Sequence, residues 1–464
     1  IDKIALICSF LFVLAGSIVS VIRFWQYETF YFDFGIFDQA IGQAAHFQPP
    51  VIDHLIVSGK WIWADHFNPG IFILSPLYWF TDRPEALLIA QAVIVGLSGL
   101  VVYKIGIEVL KNKFASLAES RRASLSILIS YFLFLGLQNA VITDFHEVTV
   151  ATLPLALAFW AVISKKLKWF IIFGLLTLGF KESLFILGMA LGIFIILFNR
   201  EWVRVGVLTS LFSIIYGLLT IKLIIPYFSG GIYQYTEPLV LSKIITSFWD
   251  SPVKIDTILK TFWSFGFLPI LSPTFLILIF QDFFVRFYSD LGSTRINLGL
   301  HYSALLAVIM GIASIFGLKF IFAYIKKSLI NFIIILIIIN SIFLYRFILH
   351  GPFALAYNPA FYKHTTDFKF LDDLVSKVPK DASVMTQNNI ASHFTHQEVY
   401  YLRMNYKKFN PDYIVIDARE GQNPNNFFGE RNFDVKAFLQ KISKDKCYKA
   451  VFKTKYQFIF KKTC

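Results

Sequence analysis

The chain reads as an all-α polytopic membrane protein followed by a small α/β domain, and three features of the sequence point there. Apolar surface exceeds what one soluble core could hide, since 56% of residues are hydrophobic, 52 are Phe and only 16% are charged. The mean hydropathy of +0.62 is gathered into successive runs, most of them long enough to cross roughly 30 Å of hydrocarbon at about 1.5 Å per residue. After Leu349 the runs stop, and short buried-strand patterns alternate with amphipathic ones. The expected division is a transmembrane domain over 1–349, with a first outer loop at 23–84 carrying interfacial helices, and a soluble extracytoplasmic domain over 350–464. The first part is expected to hold about eleven transmembrane helices.

The first run, Ile4 to Ile22, is one span long and leaves the bilayer at Arg23, Phe24, Trp25 and Tyr27. From there to Asn68 the acids Glu28, Asp33, Asp38, Asp53 and Asp65 face only Arg23 and Lys60, the balance of an outside loop. Trp61, Trp63 and Phe67 punctuate it as short helices along the interface would. Gly70 to Phe80 is apolar, too short to span and holds Pro76, so it is expected to lie on the surface or re-enter. Pro84 starts a span from Glu85 to Leu110, and its basic exit (Lys111, Lys113, Arg121, Arg122) marks the cytoplasmic side.

Ala123 to Ile142 returns outward, and Val148 to Ser164 goes back in to meet Lys165, Lys166 and Lys168. Trp169 to Phe198 is apolar except at Lys181-Glu182, which fits two half-length helices joined at a polar outer tip better than one straight helix. Asn199, Arg200 and Arg204 are expected inside, and Val205 to Tyr227 comes out. Ser229 to Asp256 is then an outer loop whose Gly230-Gly231, Tyr233 and Tyr235 suggest a flap. Ile258 to Leu271, Pro273 to Phe287 and Leu300 to Ile325 alternate across, Lys326-Lys327 lies inside, and Ser328 to Leu349 is the last exit.

In the C-terminal part, Ala382 to Thr386 and Tyr413 to Asp417 read as buried strands, Asp367 to Lys377 and Phe433 to Ile442 as helices, and Lys449 to Phe460 as a strand pair. Asn388, Asn389, His393 and His396 are its candidates for touching a substrate, against the plainer reading of ordinary loop polars. No phosphate loop or nucleophile elbow occurs. The net charge of +13 belongs to basic residues that flank spans, and without a basic groove or motif it implies no nucleic-acid partner. Cys8, Cys447 and Cys464 lack metal-ligand spacing; the last two can pair if the tail is extracytoplasmic. The chain opens on Ile1 rather than Met, so a few residues are expected ahead of it.

This topology gathers Asp33 and Asp38, Asp65-His66, Asp144 with His146 and Glu147, Lys181-Glu182, and His301-Tyr302 at extracytoplasmic ends and tips, while the inner face is almost purely Lys and Arg. Each group has a plain structural alternative. Asp65-His66 could cap a helix, 144–147 could be a turn, Lys181-Glu182 an ion pair tying a hairpin, and His301-Tyr302 an interfacial anchor. Acids beside His and Lys converging on one face are also what a site for a phosphorylated substrate needs.

The wording Asp33-Phe34-Gly35-Ile36-Phe37-Asp38-Gln39, with Asp65-His66-Phe67-Asn68-Pro69, Asp144-Phe145-His146 and Lys181-Glu182, resembles a family of membrane proteins catalogued as domain of unknown function 2079. That family is grouped with the GT-C glycosyltransferases, which use polyprenyl-phosphate sugars, and the resemblance covers roughly residues 4–320. It implies a GT-C-like fold in a plasma membrane, with the active site outside. It implies an inverting transfer of a hexosyl or pentosyl group from a polyprenyl-phosphate-linked sugar to a glycan, lipid or protein acceptor.

In such an enzyme a carboxylate takes the proton of the acceptor hydroxyl, and positive charge stabilises the departing lipid phosphate. Asp33 is the expected base and Asp38 a second acid; the two need not face the same way if the segment is helical. Lys181 is assigned to the phosphate, and Glu182, His301, Tyr302, Asp65 and His66 to substrate or phosphate binding. Asp144, His146 and Glu147 could bind a divalent cation, Mg or Mn, or orient the acceptor. Ser183 stands where a further carboxylate is expected after Lys-Glu, which weighs against a metal role for that tip. Two rivals from other classes are a transporter or flippase of a lipid-linked glycan, which would place polar groups near the midplane, and a non-catalytic assembly subunit.

Overall fold

The computed structural model of the chain describes every residue except 1, 55–56, 112–115, 236–239, 289–292 and 431–432. Lys113 of the basic exit therefore lies outside the described residues. The first helix, Lys3–Trp25, is capped by Asp2, whose side chain accepts from the Ile4 N–H at 2.9 Å. It packs against Glu85–Leu110, and the contact is close because Gly96 carries no side chain: a Cβ there would lie 2.4 Å from Val13. Ser9 Oγ donates to the Gly96 carbonyl across the same seam at 3.0 Å. The opposite face of the first helix exposes Ile7, Phe10 and Leu11, and the helix Val203–Leu219 likewise exposes Leu208, Leu211 and Ile215. Helices that stay apolar where they are exposed are suited to lipid.

Among the described residues five helices are long and apolar enough to cross a membrane: Lys3–Trp25, Glu85–Leu110, Arg200–Ser229, His301–Tyr324 and Ser328–Ile348. Leu117–Leu133 and Leu135–Ile142, bent by 51°, make a sixth if they form one span. Glu147–Ile163, Leu167–Leu178 and Glu182–Phe198 are apolar but shorter, as are the helices Pro252–Ser264 and Pro273–Tyr288. Reaching about eleven crossings thus means counting the short helices as crossings.

The run 169–198 is broken at Lys181, which is extended with φ −162°. The segment Pro69–Trp79 is one tight helix, and Trp79 and Phe80 at its end are exposed. It meets the break directly, since Gly70 N–H donates to the Gly179 carbonyl at 2.7 Å and a Cβ on Gly70 would sit 3.0 Å from that carbonyl.

The first outer loop folds as a π-helical turn, Tyr31–Gly35, running into the helix Ile36–Ala45, then a hairpin of β1 (Val51–Asp53) and β2 (Ser58–Trp61). Over it lies the C-terminal layer, a five-stranded sheet of β3 (Val384–Thr386), β4 (Val399–Tyr401), β5 (Tyr413–Asp417), β6 (Tyr448–Lys453) and β7 (Gln457–Lys462). The order is β4-β3-β5-β7-β6, with β3 parallel to β4 and β5, and with β7 antiparallel to β5 and β6. Strand β4 has no counterpart in the sequence reading because three residues show no alternation to count. Cys447 and Cys464 are joined in a disulfide that ties the start of β6 to the tail.

The layer is fastened to the outer loop by buried polar contacts. Arg403 makes a fork onto Asp53, with Nη1 and Nη2 donating to Oδ2 and Oδ1 at 2.9 and 3.0 Å, and the Tyr401 N–H donates to Oδ2 at 2.8 Å. Phe32 N–H donates to Asn388 Oδ1 at 2.9 Å. His393 stacks on both Phe24 and Tyr27, at 4.1 and 3.9 Å, and burial pushes its imidazole down to about 3. Of the four polar residues singled out near β3, Asn388 and His393 serve docking, and so does His396 through Asp38.

Candidate functional site

The site begins at a bend. Between the helices Leu135–Ile142 and Glu147–Val150, Asp144 sits at φ +55°, a left-handed conformation that Asp tolerates better than most side chains. Gln91, a wholly buried carboxamide on the span Glu85–Leu110, holds that bend from both sides. Its Nε2 donates to the carbonyls of Val141 and Asp144 at 3.1 and 2.8 Å, and its Oε1 accepts from the His146 N–H at 2.9 Å.

The bend sends its three side chains to three partners. Asp144 Oδ2 accepts from the Phe30 N–H at 3.0 Å. Its burial, and next the charge of Asp33, lift the Asp144 carboxyl to about 7. His146 Nε2 lies 3.3 Å from Asp33 Oδ1, and its ring stacks on His301 with centroids 3.4 Å apart. Glu147 Oε1 lies 2.7 Å from Lys181 Nζ. Burial disfavours the Lys181 charge, but Glu147 and Glu182 outweigh it and hold the ammonium well above the ordinary lysine range. Asp33, Asp144, His146, Glu147, Lys181 and His301 therefore form one connected group.

Glu182 turns the other way and is wholly buried. It accepts from Tyr233 OH at 2.6 Å and from the Phe67 N–H at 3.1 Å, and lies 2.8 Å from His66 Nδ1. Burial opposes a charge on His66, yet the Glu182 carboxylate prevails and raises it above its usual value. Tyr235 stacks on His66 at 4.7 Å and donates to Asp65 Oδ1 at 2.8 Å. The flap tyrosines are thus closed onto the Asp65-His66 and Lys181-Glu182 pairs.

Of these groups, His66, Lys181, Glu182, Tyr233, Tyr235 and His301 line a cavity of about 370 Å³; Asp33 is outside its lining and is joined to it through His146 and His301. Its polar lining is Lys181, Arg286, Arg295, His66, His301, Tyr233, Tyr235 and Tyr302 with the acids Glu182 and Asp282; its apolar walls come from Leu184, Phe185, Leu187, Ile221, Leu305 and Ile309 on the helices Glu182–Phe198, Arg200–Ser229 and His301–Tyr324. Arg295 is presented by Arg286, whose guanidinium donates to the carbonyls of Arg295, Ile296 and Asn297 at 2.9, 3.0 and 2.8 Å and lies 3.3 Å from Asp282. Arg295 itself lies over the Tyr302 ring at 5.4 Å and has no carboxylate partner among the described residues. Neither arginine, nor Gln91, figured in the sequence reading. Arg286 and Gln91 carry a signal, because they are polar residues inside apolar runs and such residues are costly there unless used; Arg295, between two runs, carries none.

Two expectations change. Asp38, expected as a second acid, is wholly buried; it takes hydrogen bonds from Tyr78 and Thr395 and lies 3.3 Å from His396 Nε2, and none of these lines the cavity. Burial alone would lower His396, but the Asp38 carboxylate outweighs it and raises it. The expected cation ligands also do not fit a divalent ion. Asp144, His146 and Glu147 each face a different partner, and among the described residues no three His, Cys, Asp or Glu are placed to share a metal.

A family model described as "Predicted membrane protein (DUF2079)" matches residues 23–457. No curated protein sequence matches the chain. Among solved structures, that of ArnT from Cupriavidus metallidurans bound to undecaprenyl phosphate is similar, with a TM-score of 0.50 at 9% identity over 96% of this chain and 97% of that one. At that identity the likeness concerns the fold alone.

Proposed function

Since the chain belongs to the DUF2079 family of predicted membrane proteins, with a fold of the GT-C kind, we propose that it is a membrane glycosyltransferase drawing a sugar from a polyprenyl-phosphate donor. The observation that carries this reading is the make-up of the 370 Å³ cavity, where cationic and imidazole groups end a pocket whose walls are membrane-helix side chains. A lipid phosphate needs both halves: charge for its headgroup and an apolar groove for its chain. That ArnT was solved with undecaprenyl phosphate gives the same ligand class on a similar fold.

In this reading Lys181 and Arg295 take the phosphate, with His301 and Tyr302 beside them. Asp33 is the base. Its carboxylate is 31% exposed and is linked through His146 to His301, which lines the cavity. As the acceptor oxygen bonds to the anomeric carbon, its proton passes to Asp33. The bond from that carbon to the phosphate oxygen breaks on the opposite side, and the electron pair leaves with the lipid phosphate beside the two cations. His146 is a positioning residue. No step is routed through a metal.

We place the site and residues 350–464 on the extracytoplasmic side of the plasma membrane. The basic helix ends at Arg121, Arg122, Arg200 and Arg204 support that side as the opposite one, and the Cys447–Cys464 disulfide suits an oxidising compartment. The test is binding and turnover in purified protein. Undecaprenyl phosphate should bind the wild type and compete with a polyprenyl-phosphate sugar, and Asp33→Asn should bind it unchanged while transferring nothing. Sugar transfer by Asp33→Asn at the wild-type rate would remove Asp33 from the mechanism.

A further inference from the structure

A second cavity, of about 540 Å³, lies where the exit of the first helix meets the C-terminal layer. Its composition is the reverse of the first. The two arginines on its wall are already neutralised, Arg23 by Glu28 at 3.1 Å and Arg419 by Asp417 at 2.9 Å. Glu420 is a further acid on the wall, and Gln422 is spent, its Nε2 donating to the carbonyls of Asp417 and Arg419 and its Oε1 accepting from Gln387 and Asn426. The other carboxamides are Gln26 and Asn389, with Asn423 and Asn426 from one loop.

Two of these carboxamides are incomplete. Gln26 Oε1 and Asn389 Oδ1 are buried and accept no hydrogen bond, on residues only 1% and 5% exposed. Buried polar atoms are nearly always satisfied in folded proteins, so two orphan acceptors in one cleft, with Arg23 Nε a buried donor without a hydrogen-bond partner on the same wall, point to a ligand that both donates and accepts. Phe30 adds an aromatic wall.

We propose that this cleft seats the acceptor and takes its neutral, hydroxyl-rich part, that is, a carbohydrate rather than an anion. Hydroxyl groups donate to orphan carbonyls and accept from carboxamide N–H groups, and the paired arginines leave no net charge to recruit a phosphate. The proposal rests on Asp33 being the base. Phe30 lines the cleft and its N–H holds Asp144, while Asp33 follows three residues later in the same turn and contacts His146, whose ring stacks on His301 of the first cavity. An acceptor hydroxyl leaving the cleft toward the donor would pass that carboxylate.

The test uses the full chain in detergent micelles, screened against an array of neutral oligosaccharides, with undecaprenyl phosphate binding measured in parallel. The wild type should hold at least one neutral glycan. Asn389→Ala, which removes no hydrogen bond found among the described residues, should weaken that glycan at least tenfold at an unchanged melting temperature and unchanged affinity for undecaprenyl phosphate. Phe30→Leu provides a second variant with the same expectation. Arg295→Ala should do the reverse, keeping the glycan and weakening the lipid at least tenfold. A blank array for the wild type, binding of anionic glycans alone, or full glycan affinity in both cleft variants would overturn the proposal. Glycan binding without any undecaprenyl phosphate binding would instead sink the donor reading and leave the cleft standing.

Discussion

The two cavities have no lining residue in common and differ in almost everything else. The first is lined by Lys181 and Arg295 and by helices that read as membrane segments; the second is lined by the exit of the first helix and by loops of the C-terminal layer, with carboxamides beside arginines that are paired. The difference teaches what each can hold. Arg295, which has no carboxylate partner among the described residues, beside the paired Lys181 and apolar walls suits a phosphate with a long tail, whereas orphan carbonyls beside paired arginines suit hydroxyl groups. Asp33 lines neither cavity and is linked to both, to one through His146 and His301 and to the other through the turn that carries Phe30.

The severest way to break this contrast is at the carboxylate linked to both sides. Asp33→Asn should cut sugar transfer by about 100-fold to 10,000-fold, the usual contribution of a general base, and leave both ligands bound; loss of lipid binding in that variant would make Asp33 part of the donor pocket instead. Next in size is the fork between Arg403 and Asp53. Arg403→Ala leaves a buried acid uncompensated and should cost about 3–5 kcal/mol, read as a fall in melting temperature. Because that fork fastens the sheet layer, the cleft should suffer and undecaprenyl phosphate binding should persist. Equal losses at both would show that the two cavities are not separable.

A smaller effect depends on pH. Burial and then Asp33 lift the Asp144 carboxyl to about 7 in the folded protein, against about 3.9 in an unfolded chain. Between those values the fold keeps a proton that the unfolded chain has lost, so the contribution to stability is whole below about pH 4 and disappears as the pH rises through about 7. Asp144→Asn keeps an acceptor for the Phe30 N–H and should flatten that decline, which on the same arithmetic spans on the order of 4 kcal/mol. A melting curve with the same pH slope in both proteins would show that Asp144 is ionised throughout. The smallest change is Arg295→Ala, which should weaken undecaprenyl phosphate by about 1.5–3 kcal/mol, the worth of a hydrogen bond to a charged group.

How much of this was legible in the sequence depends on how each residue signals. Lys181-Glu182 stood out because it interrupts a long apolar run, and Asp144 to Glu147 because three polar side chains follow one another between spans; the structure joins both to Asp33. Asp38 was misleading since it follows Asp33 by five residues. In a turn that passes from π to α geometry, that spacing swings it to the docking face with Tyr78, Thr395 and His396. Arg286 and Gln91 were hidden by the very feature that made their segments readable as spans, an apolar average that one polar residue barely changes. Arg295 falls between two such segments, where periodicity says nothing. Docking of the C-terminal layer was illegible because strand β4 spans only three residues and its partners on the outer loop lie more than three hundred positions away.

The most direct test is a density map of the protein with undecaprenyl phosphate. The account predicts the phosphate within hydrogen-bond distance of Lys181 and Arg295, with the chain running along Leu187, Leu305 and Ile309. A headgroup seated anywhere else, or in the carboxamide cleft, would contradict it.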